Sequence, residues 1–429
     1  MNQTKFWIKI RGSFWFIPAV YGVASFLLFA LITTVDGWLV ASFKDDIPQI
    51  LLTTSKVAID LYASLVTGIL TMTTISFSVI MVVLTTYSTQ FSPRTLQDFM
   101  KSRTTQHVLG VYCLGFIFAL LHLLTAGKES AVIGPIIVVI VAIVNLAFFV
   151  YFIHHSARWI QVNNLIGKIR NDGALVIKKT YREPTFLAYE DWDKDELKEL
   201  QSYNKRAIYA YDSGYIQKIE WAELMKQATS QGCILEVHAQ VGDFVAKGLP
   251  IMSVIETEEC RDNHQFKQFL VIGNERTDLD DVEFMLQKLV EIALRAISPA
   301  VNDPHTAINC LNRIGALLSE IGEVYHENKY FADHKKKLRV ICKPKKFEEY
   351  LYISFYQIRH YGKSDVSIVY AMIEVLYNIA IVSKKSIKKK VWRFHYYIMD
   401  VVDWDRLSDL DRDHLQEIYK KFEAYCTTG

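Results

Sequence analysis

Four long uncharged runs stand out in the first third of the chain. They cover residues 14–35, 61–87, 108–126 and 131–153, and none of them contains Asp, Glu, Lys or Arg. A helix needs about 20 predominantly apolar residues to cross a bilayer core about 30 Å thick. The pattern therefore predicts a four-helix transmembrane domain over residues 1–155.

Basic residues beside these runs predict how the helices are oriented, because Lys and Arg accumulate in cytoplasmic loops. Nine of them flank one side of the predicted membrane and three flank the other. The nine are Lys5, Lys9, Arg11, Arg94, Lys101, Arg103, Arg158, Lys168 and Arg170, and the three are Lys44, Lys56 and Lys128. The imbalance predicts that both termini lie in the cytoplasm.

The second run carries polar residues at helical spacing. At about 100° per residue, they fall within an arc of about 120° on one face of the predicted helix. This polar stripe consists of Asp60, Ser64, Thr67, Thr71, Thr74, Ser78, Thr85 and Ser88. Asp60 is expected at the external end, whereas Arg94 follows the cytoplasmic end.

Two interpretations of the stripe remain open. Small and hydroxyl-bearing residues at membrane-helix interfaces let backbones approach closely, so the stripe is compatible with plain helix packing. It extends through about seven helical turns, however, with an acid at one end. Several copies arranged around it would create a hydroxyl-lined pore with an acidic outer ring. We favour the pore.

The remainder of the chain predicts an α+β region. Residues 156–206 are mixed and charged and predict a helical connector. Short β-prone runs punctuated by glycines follow over 207–275. Residues 232–255 resemble the barrel-sandwich hybrid repeat of biotinyl and lipoyl domains, although no lysine occupies the modification position in 255–260. Helical spacing of apolar residues then predicts a helical domain over 276–429.

A sharp break between two predicted helices offers a candidate ligand site. Its residues are Asn302, Asp303, His305 and Thr306, around the first position of a helix. Helix starts attract anions, so these side chains could hold a ligand. The alternative is a simple capped turn, with Asp303 as the cap and a proline at the first helical position.

Composition narrows the class of protein. The chain has 429 residues, of which 51% are hydrophobic, and 48 Lys and Arg against 46 Asp and Glu give a formal charge of +2. No bulk charge favours nucleic acid. The six cysteines have no short paired spacing, which argues against a disulfide framework or a structural zinc site. No nucleotide-binding, metalloprotease or hydrolase motif occurs, so we expect neither an enzyme nor a cofactor.

Three stretches together resemble a bacterial family of predicted membrane proteins, domain-of-unknown-function family 2254. They are TTYSTQFSPRTLQDFMKSRTTQHVLG, the β repeat of residues 232–255 with its Gly242-Asp243 pair, and ERTDLDDVEFMLQKLVEIALRAISPAVNDPHTA. The resemblance covers nearly the whole chain and implies a bacterial inner membrane protein with this layout.

The function predicted from the sequence is a homo-oligomeric passive ion channel. The polar stripe would line the pore, and the cytoplasmic domain would assemble or gate it. Small monovalent cations, sodium or potassium, are the expected permeating ions, because Asp60 marks the outer mouth and hydroxyl oxygens can replace hydration water. The alternative is a non-conducting membrane-anchored sensor or scaffold whose cytoplasmic domain binds a ligand or partner.

Overall fold

The computed structural model describes most of the chain, in eight segments and two single residues. These are residues 13–43, 55–90, 102–126, 133–182, 187–258, 266–278, 280–326 and 329–427, with Phe99 and Cys260. The chain divides into two compact units, Met1–Asn164 and Leu165–Gly429. They are called here the span unit and the C-terminal unit, and each is described by itself.

Four helices of the span unit are long and apolar enough to cross a membrane, as the sequence predicted. They are α1 (Phe16–Phe43), α2 (Ser55–Gln90), α3 (Arg103–Thr125) and α4 (Ile133–Ile160). Helical structure continues through Asp36 and Asp60, which lie just outside the uncharged runs, because backbone hydrogen bonding does not depend on apolar side chains. Ser102 begins α3 by accepting a hydrogen bond from the amide of Thr105 at 3.2 Å.

The core of the span unit is small, and its surface is largely apolar. Tyr62 and Phe118 are buried at the centre of the bundle, together with Val138. Large apolar side chains also cover the outside, with Leu124 79% exposed and Leu27 68% exposed. A surface of this kind is compatible with hydrocarbon but not with water, which agrees with four membrane spans.

The C-terminal unit is a mixed helical and β region. Its first helix, α5 (Val162–Ile177), begins just before the boundary between the two units. The others are α6 (Lys194–Ser202), α7 (Trp221–Gln231), α8 (Val282–Ala296), α9 (Pro304–Val324), α10 (Phe347–Gly362), α11 (Val366–Val382), α12 (Lys385–Met399) and α13 (Asp409–Thr427). A π-helical turn, Lys178–Arg182, follows α5, and two 3-10 turns cover Phe266–Phe269 and Trp404–Arg406.

Nine strands in the described part of this unit form two sheets. They are β1 (Leu187–Tyr189), β2 (Lys205–Tyr209), β3 (Gly214–Ile219), β4 (Ile234–Val237), β5 (Phe244–Val245), β6 (Pro250–Ile255), β7 (Leu270–Gly273), β8 (Lys329–Ala332) and β9 (Leu338–Cys342). The larger sheet has the order β1-β8-β9-β4-β6-β2, and the smaller one has the order β5-β3-β7.

One pair of neighbouring strands is parallel. Strands β4 and β9 place Leu235 opposite Val340 and Val237 opposite Cys342, whereas the other paired strands of the described sheets are antiparallel. The carboxyl ends of β4 and β9 therefore meet at the same edge of the sheet. In open α/β sheets such an edge is where ligands bind.

Apolar residues of both sheets and of α7 share one core. Leu235, Met252 and Val254 have no exposed surface, and Leu224 of α7 is equally buried against them. Helix α7, which the sequence pattern did not predict, separates two strand-rich stretches. Gly232 ends this helix with a left-handed backbone conformation, at φ 66°. The likeness of residues 232–255 to a barrel-sandwich hybrid stays a prediction.

A disulfide links Cys233 to Cys260, 27 residues apart. The cysteine spacing argued against a disulfide framework and gave no signal for this single pair, because the fold brings together two residues that are far apart in sequence. The other four cysteines, Cys113, Cys310, Cys342 and Cys426, form no disulfide, and Cys310 and Cys342 are buried.

The helices predicted after residue 276 form, and the fold adds elements among them. Helix α9 starts at Pro304 because Asp303 caps it. The apolar helix α11 is buried in this unit, with Ile373 and Leu376 fully buried. Strands β8 and β9 lie within the stretch predicted as helical, and β1 lies within the predicted connector.

Candidate functional site

The polar stripe of α2 lies on the outer surface of the span unit. Every stripe residue whose side chain the structure describes is exposed: Asp60, Ser64, Thr67, Thr71, Thr74, Ser78 and Thr85. Ser88 belongs to α2, but its side chain lies outside the described part of the structure, and Arg94 lies outside the described residues. The stripe therefore lies on the outer face of the span unit along the length that the structure describes.

The six stripe hydroxyl groups that the structure describes bond to their own helix. Each donates its proton to the carbonyl oxygen four residues earlier, as in the 2.9 Å bond from Thr71 to Thr67. The other bonds are 2.7 Å for Ser64, 2.9 Å for Thr67, 3.0 Å for Thr74, 3.1 Å for Ser78 and 2.8 Å for Thr85. Because the proton points back along the helix, the oxygen lone pairs face outward.

The opposite face of α2 packs inside the bundle. Ala58, Ile69 and Val83 are buried there. Ser76, a hydroxyl residue outside the stripe, is also buried and donates to the Tyr112 hydroxyl at 3.3 Å. Thr73 and Thr86 also lie outside the stripe; both are half-buried and donate to their own helix, at 2.8 Å and 3.0 Å. The packing face and the stripe are therefore separate surfaces of the same helix.

One helical turn of the stripe is apolar. Met81 and Val82 occupy the arc between Ser78 and Thr85, and they are 62% and 59% exposed. Apolar residues also border the arc along its length, with Ile59 and Phe77 on one side and Val57 and Ile75 on the other. The exposed face is thus a polar line with an apolar interruption and two apolar edges.

A buried acid that the sequence analysis did not single out connects two spans. Asp36, 8% exposed, accepts hydrogen bonds from the amides of Ile133 at 3.1 Å and Gly134 at 2.9 Å, at the start of α4. A methyl group at Gly134 would lie 3.3 Å or less from Asp36, Tyr62 and His122. The available signal was an acid directly after the first apolar run, but its partner lies 97 residues away.

The predicted ligand site around Asp303 forms a capped helix start. The Asp303 carboxylate accepts from the Thr306 amide at 3.1 Å and from the Thr306 hydroxyl at 2.6 Å. These bonds lower the pKa of the Asp303 carboxyl. Asn302 adopts a left-handed conformation with φ 50°, and both Asn302 and His305 are exposed. The four residues lie together, and their geometry is that of a capping turn.

A cavity of about 700 Å³ lies at the carboxyl ends of β4 and β9 in the C-terminal unit. Pockets for small ligands commonly have volumes of about 300–1,000 Å³. The first residues of α7 and α8 and the turn after α5 complete the wall. Its polar and aromatic lining residues include Lys179, Tyr181, Tyr189, Glu190, Lys218, Glu220, Trp221, Glu223, Asp280, Asp281, Glu283, His326, Phe331, Lys345 and Tyr350.

Charged groups of the cavity wall occur in pairs. Lys179 contacts Asp280 at 2.6 Å, and Lys218 contacts Glu220 at 3.2 Å. Lys345 contacts the Glu283 carboxylate. Burial by itself would raise the pKa of the Glu283 carboxyl, but Lys345 and Arg276 outweigh burial and hold that pKa below its usual value.

A buried ion pair supports this wall from behind. The Arg276 guanidinium contacts both oxygens of Asp281 at 2.7 Å and Glu283 at 3.1 Å. Asp281 also caps α8 by accepting from the Phe284 amide at 2.9 Å. Gly242, at φ 92°, leaves room for the pair, since a methyl group there would lie 2.5 Å from Arg276.

Aromatic side chains form the apolar part of the wall. Trp221 and Phe331 have ring centroids 5.6 Å apart. The hydroxyls of Tyr181 and Tyr350 lie 3.1 Å apart. Burial raises the pKa of Tyr181 to about 12, and burial together with Tyr181 raises that of Tyr350 well above its usual value, so both phenols are neutral at physiological pH. Among the described residues, no group of three His, Cys, Asp or Glu side chains is placed to hold a metal ion.

Comparison with known proteins identifies the family. Residues 11–378 match the family model described as "Predicted membrane protein (DUF2254)". The chain belongs to this family. The matched residues include the whole α2 stripe and every residue that lines the cavity, so both candidate sites lie within the family's shared region.

The chain also has mycobacterial relatives. Uncharacterized protein Rv1290c of Mycobacterium tuberculosis is 26% identical over 393 residues, which cover 86% of this chain and 72% of the relative. Uncharacterized protein Mb1321c of Mycobacterium bovis has the same identity and coverage. No solved structure gives a significant match to the chain.

Proposed function

We propose that this member of the family is a homo-oligomeric passive channel for monovalent cations, sodium or potassium. The pore would be lined by the α2 stripe, and the C-terminal unit would assemble or gate it. The observation that carries the proposal is that all described stripe side chains are exposed on the span unit rather than covered by its other helices. The proposal includes no catalytic activity.

Exposure of an acid on this face supports assembly around the stripe. Asp60 is exposed on a helix that is otherwise suited to lipid. A charged side chain facing hydrocarbon is costly, and such residues in membrane helices almost always face a bundle interior or a water-filled path. Packing several copies through the apolar edges of the stripe would place Asp60 in such a path.

The direction of the hydroxyl bonds favours cations. Because the stripe protons are donated to the helix backbone, the oxygen atoms present lone pairs to whatever lies outside. Oxygen lone pairs can replace part of the hydration shell of a cation. With no carboxylate described between Asp60 and Thr85, a monovalent ion fits this lining better than a divalent one.

The apolar turn at Met81 and Val82 would form the narrowest barrier in such a pore. Rings of apolar side chains can stop conduction by excluding water. We therefore expect Val82→Thr, which keeps the size of the side chain and adds a hydroxyl, to increase flux. Flux unchanged by this substitution would place the barrier elsewhere.

The test is ion flux through the purified full-length protein in liposomes, with sodium, potassium and chloride gradients compared. Thr74→Val removes one outward hydroxyl oxygen with almost no change in size, and Asp60→Asn removes the charge at the outer mouth. The matched control is Thr73→Val, the same change one residue away on the half-buried side.

Cation flux that falls in Asp60→Asn and Thr74→Val, and survives in Thr73→Val, would support conduction along the stripe. Chloride flux in place of cation flux would contradict the selectivity. No flux for any ion, from folded and oligomeric protein, would remove the channel from consideration.

A non-conducting membrane-anchored sensor or scaffold is the second candidate. The observation that favours it is the cavity of about 700 Å³ in the C-terminal unit, which has the size of a ligand pocket. Stripe hydroxyls bonded to their own backbone also need no further partner in lipid. The liposome measurement separates the two candidates, because a sensor of this kind carries no current.

The proposed location is the bacterial inner membrane, with both termini in the cytoplasm. Basic residues beside the spans support this orientation. The Cys233–Cys260 disulfide counts against it, because the cytoplasm keeps most thiols reduced. Labelling of Cys426, a half-exposed thiol of α13, with a membrane-impermeant maleimide tests the orientation. Labelling of intact spheroplasts that is lost in Cys426→Ser would overturn it, and labelling only after lysis would support it.

A further inference from the structure

The cavity of the C-terminal unit has an excess of negative charge. Its lining contains six carboxylates, Glu190, Glu220, Glu223, Asp280, Asp281 and Glu283. Four cationic groups face them: the ammonium groups of Lys179, Lys218 and Lys345 in the lining, and the Arg276 guanidinium behind Asp281 and Glu283. The ammonium groups are already paired with carboxylates of the wall. A ligand entering the cavity therefore meets a negative potential, which favours a cation and disfavours an anion.

The two helix starts at the cavity do not reverse this preference. Helix N-termini attract anions through their unpaired amides. At α8 the chain's own Asp281 carboxylate fills that place by accepting from the Phe284 amide. At α7 the residue before the first helical position is Glu220; its carboxylate makes no capping hydrogen bond and contacts Lys218 at 3.2 Å, but it adds negative charge beside this helix start. An added phosphate or carboxylate would have to displace or approach these fixed negative charges.

The aromatic wall narrows the class of cation. Trp221 and Tyr189 are half-buried at the cavity, and Phe331 lies beside Trp221. An ammonium group is attracted to the face of an aromatic ring, most strongly to that of Trp. A bare metal ion would need several converging oxygen ligands, whereas an organic ammonium can use carboxylates and rings together. The volume of about 700 Å³ also exceeds what an inorganic ion needs.

We infer that the cavity binds a small organic ammonium compound, with its charged group between the carboxylates of Glu220 and Asp280 and its carbon chain against Trp221. The site is distinct from the α2 stripe, and the inference does not depend on ion conduction. Absence of ion flux would not contradict binding in the cavity, and absence of binding would not contradict ion conduction along the stripe.

The test is calorimetric titration of the purified full-length protein with 1,4-diaminobutane. Two comparators have the same carbon chain and differ in charge: neutral 1,4-butanediol and anionic butanedioate. The expected result is one diamine bound per chain, with no binding of either comparator at the same concentration. Equal binding of all three compounds, preference for butanedioate, or no binding of the diamine would overturn the inference.

Two carboxylate variants test whether the diamine binds in the cavity. We expect Glu220→Gln and Asp280→Asn each to weaken diamine binding about tenfold, because each loses an attraction and leaves Lys218 or Lys179 unneutralised. The matched control is Glu256→Gln, which removes a partly exposed carboxylate paired with Arg206, outside the cavity lining. Equal weakening in the control would show that the effect comes from overall charge, which overturns the assignment.

A second pair of variants keeps the test decisive if a carboxylate variant fails to fold. Trp221→Leu removes the ring, and Trp221→Phe keeps one. Weakened binding in the first, with binding largely retained in the second, would support a role of the aromatic face. Unchanged binding in both would contradict it. Thermal unfolding of each variant identifies the ones that are folded.

Discussion

The span unit and the C-terminal unit arrange their polar groups in opposite ways. In the span unit, the stripe hydroxyls lie outside and each bonds to its own helix. In the C-terminal unit, the buried charges surround a cavity and pair with residues from other elements, as Lys345 does with Glu283. Large apolar side chains are more often exposed in the described part of the first unit and more often buried in that of the second.

The difference follows from the solvent that each unit is built for. Hydrocarbon offers no hydrogen-bond partner, so an outward polar group must be satisfied within its own helix. Water hydrates charges at the surface, so burying a polar group costs free energy unless hydrogen-bonding or charged partners replace the lost hydration. We therefore expect tertiary contacts of polar groups to matter greatly in the C-terminal unit and little along the stripe.

The largest effect is expected for the ion pair behind the cavity. Arg276→Met would leave Asp281, 2% exposed, as an uncompensated buried carboxylate. Breaking a buried pair from one side costs about 3–5 kcal/mol of unfolding free energy. Arg206→Met is the control, since the Arg206–Glu256 pair is more exposed and such pairs contribute about 0–1 kcal/mol. Thermal unfolding of both variants in detergent measures the difference, and equal losses would show that burial of the pair is unimportant.

An intermediate effect is expected for Asp36, one of the two acids in the described part of the span unit, and almost none for the other, Asp60. Asp36→Ala removes the cap that joins α1 to α4, and loss of a helix cap costs about 0.5–2 kcal/mol. Asp60→Ala changes an exposed residue on the outer face and should leave the unfolding midpoint nearly unchanged. A large fall in the unfolding midpoint of Asp60→Ala would mean that the stripe stabilises the folded chain, which would contradict the contrast between the two units.

Acid should destabilise the C-terminal unit through Glu283. Its folded-state pKa is held below the usual value, so its stabilising effect is present above the unfolded-state pKa and is lost as the pH falls through the folded-state pKa. The thermal midpoint should therefore fall at acidic pH less steeply in Glu283→Gln than in the unchanged protein. Glu256→Gln serves as the exposed control. Parallel curves for Glu283→Gln and the unchanged protein would contradict this role.

The smallest effect is expected on the stripe itself. Thr71→Val removes an exposed hydroxyl that donates to the Thr67 carbonyl of its own helix. The free energy of unfolding should therefore change by less than about 0.5 kcal/mol. Ser76→Ala should cost more, about 1 kcal/mol, because the Ser76 hydroxyl is buried and bonded to Tyr112 of another span. A larger loss of unfolding free energy in Thr71→Val than in Ser76→Ala would contradict the distinction between the two faces of α2.

Much of the layout could be predicted from local sequence. The four spans follow from uncharged length, and α9 follows from Asp303 and Pro304 at its start. Strands β8 and β9 were missed because Lys329–Ala332 and Leu338–Cys342 are short and their pairing lies in the fold rather than in a local repeat. Helix α7 was missed because its few apolar residues stand between two β-prone runs.

The sequence by itself determined the spans, the helical alignment of the stripe and the caps, because each depends on residues within a few helical turns. Only the tertiary structure decided that the stripe faces outward, that Asp36 reaches α4, and that the cavity exists. Those features join residues about 100 or more positions apart, from Asp36 to Gly134 and from Lys179 to Tyr350. Periodicity places a side chain on a face of its own element, but packing of the elements decides what that face meets.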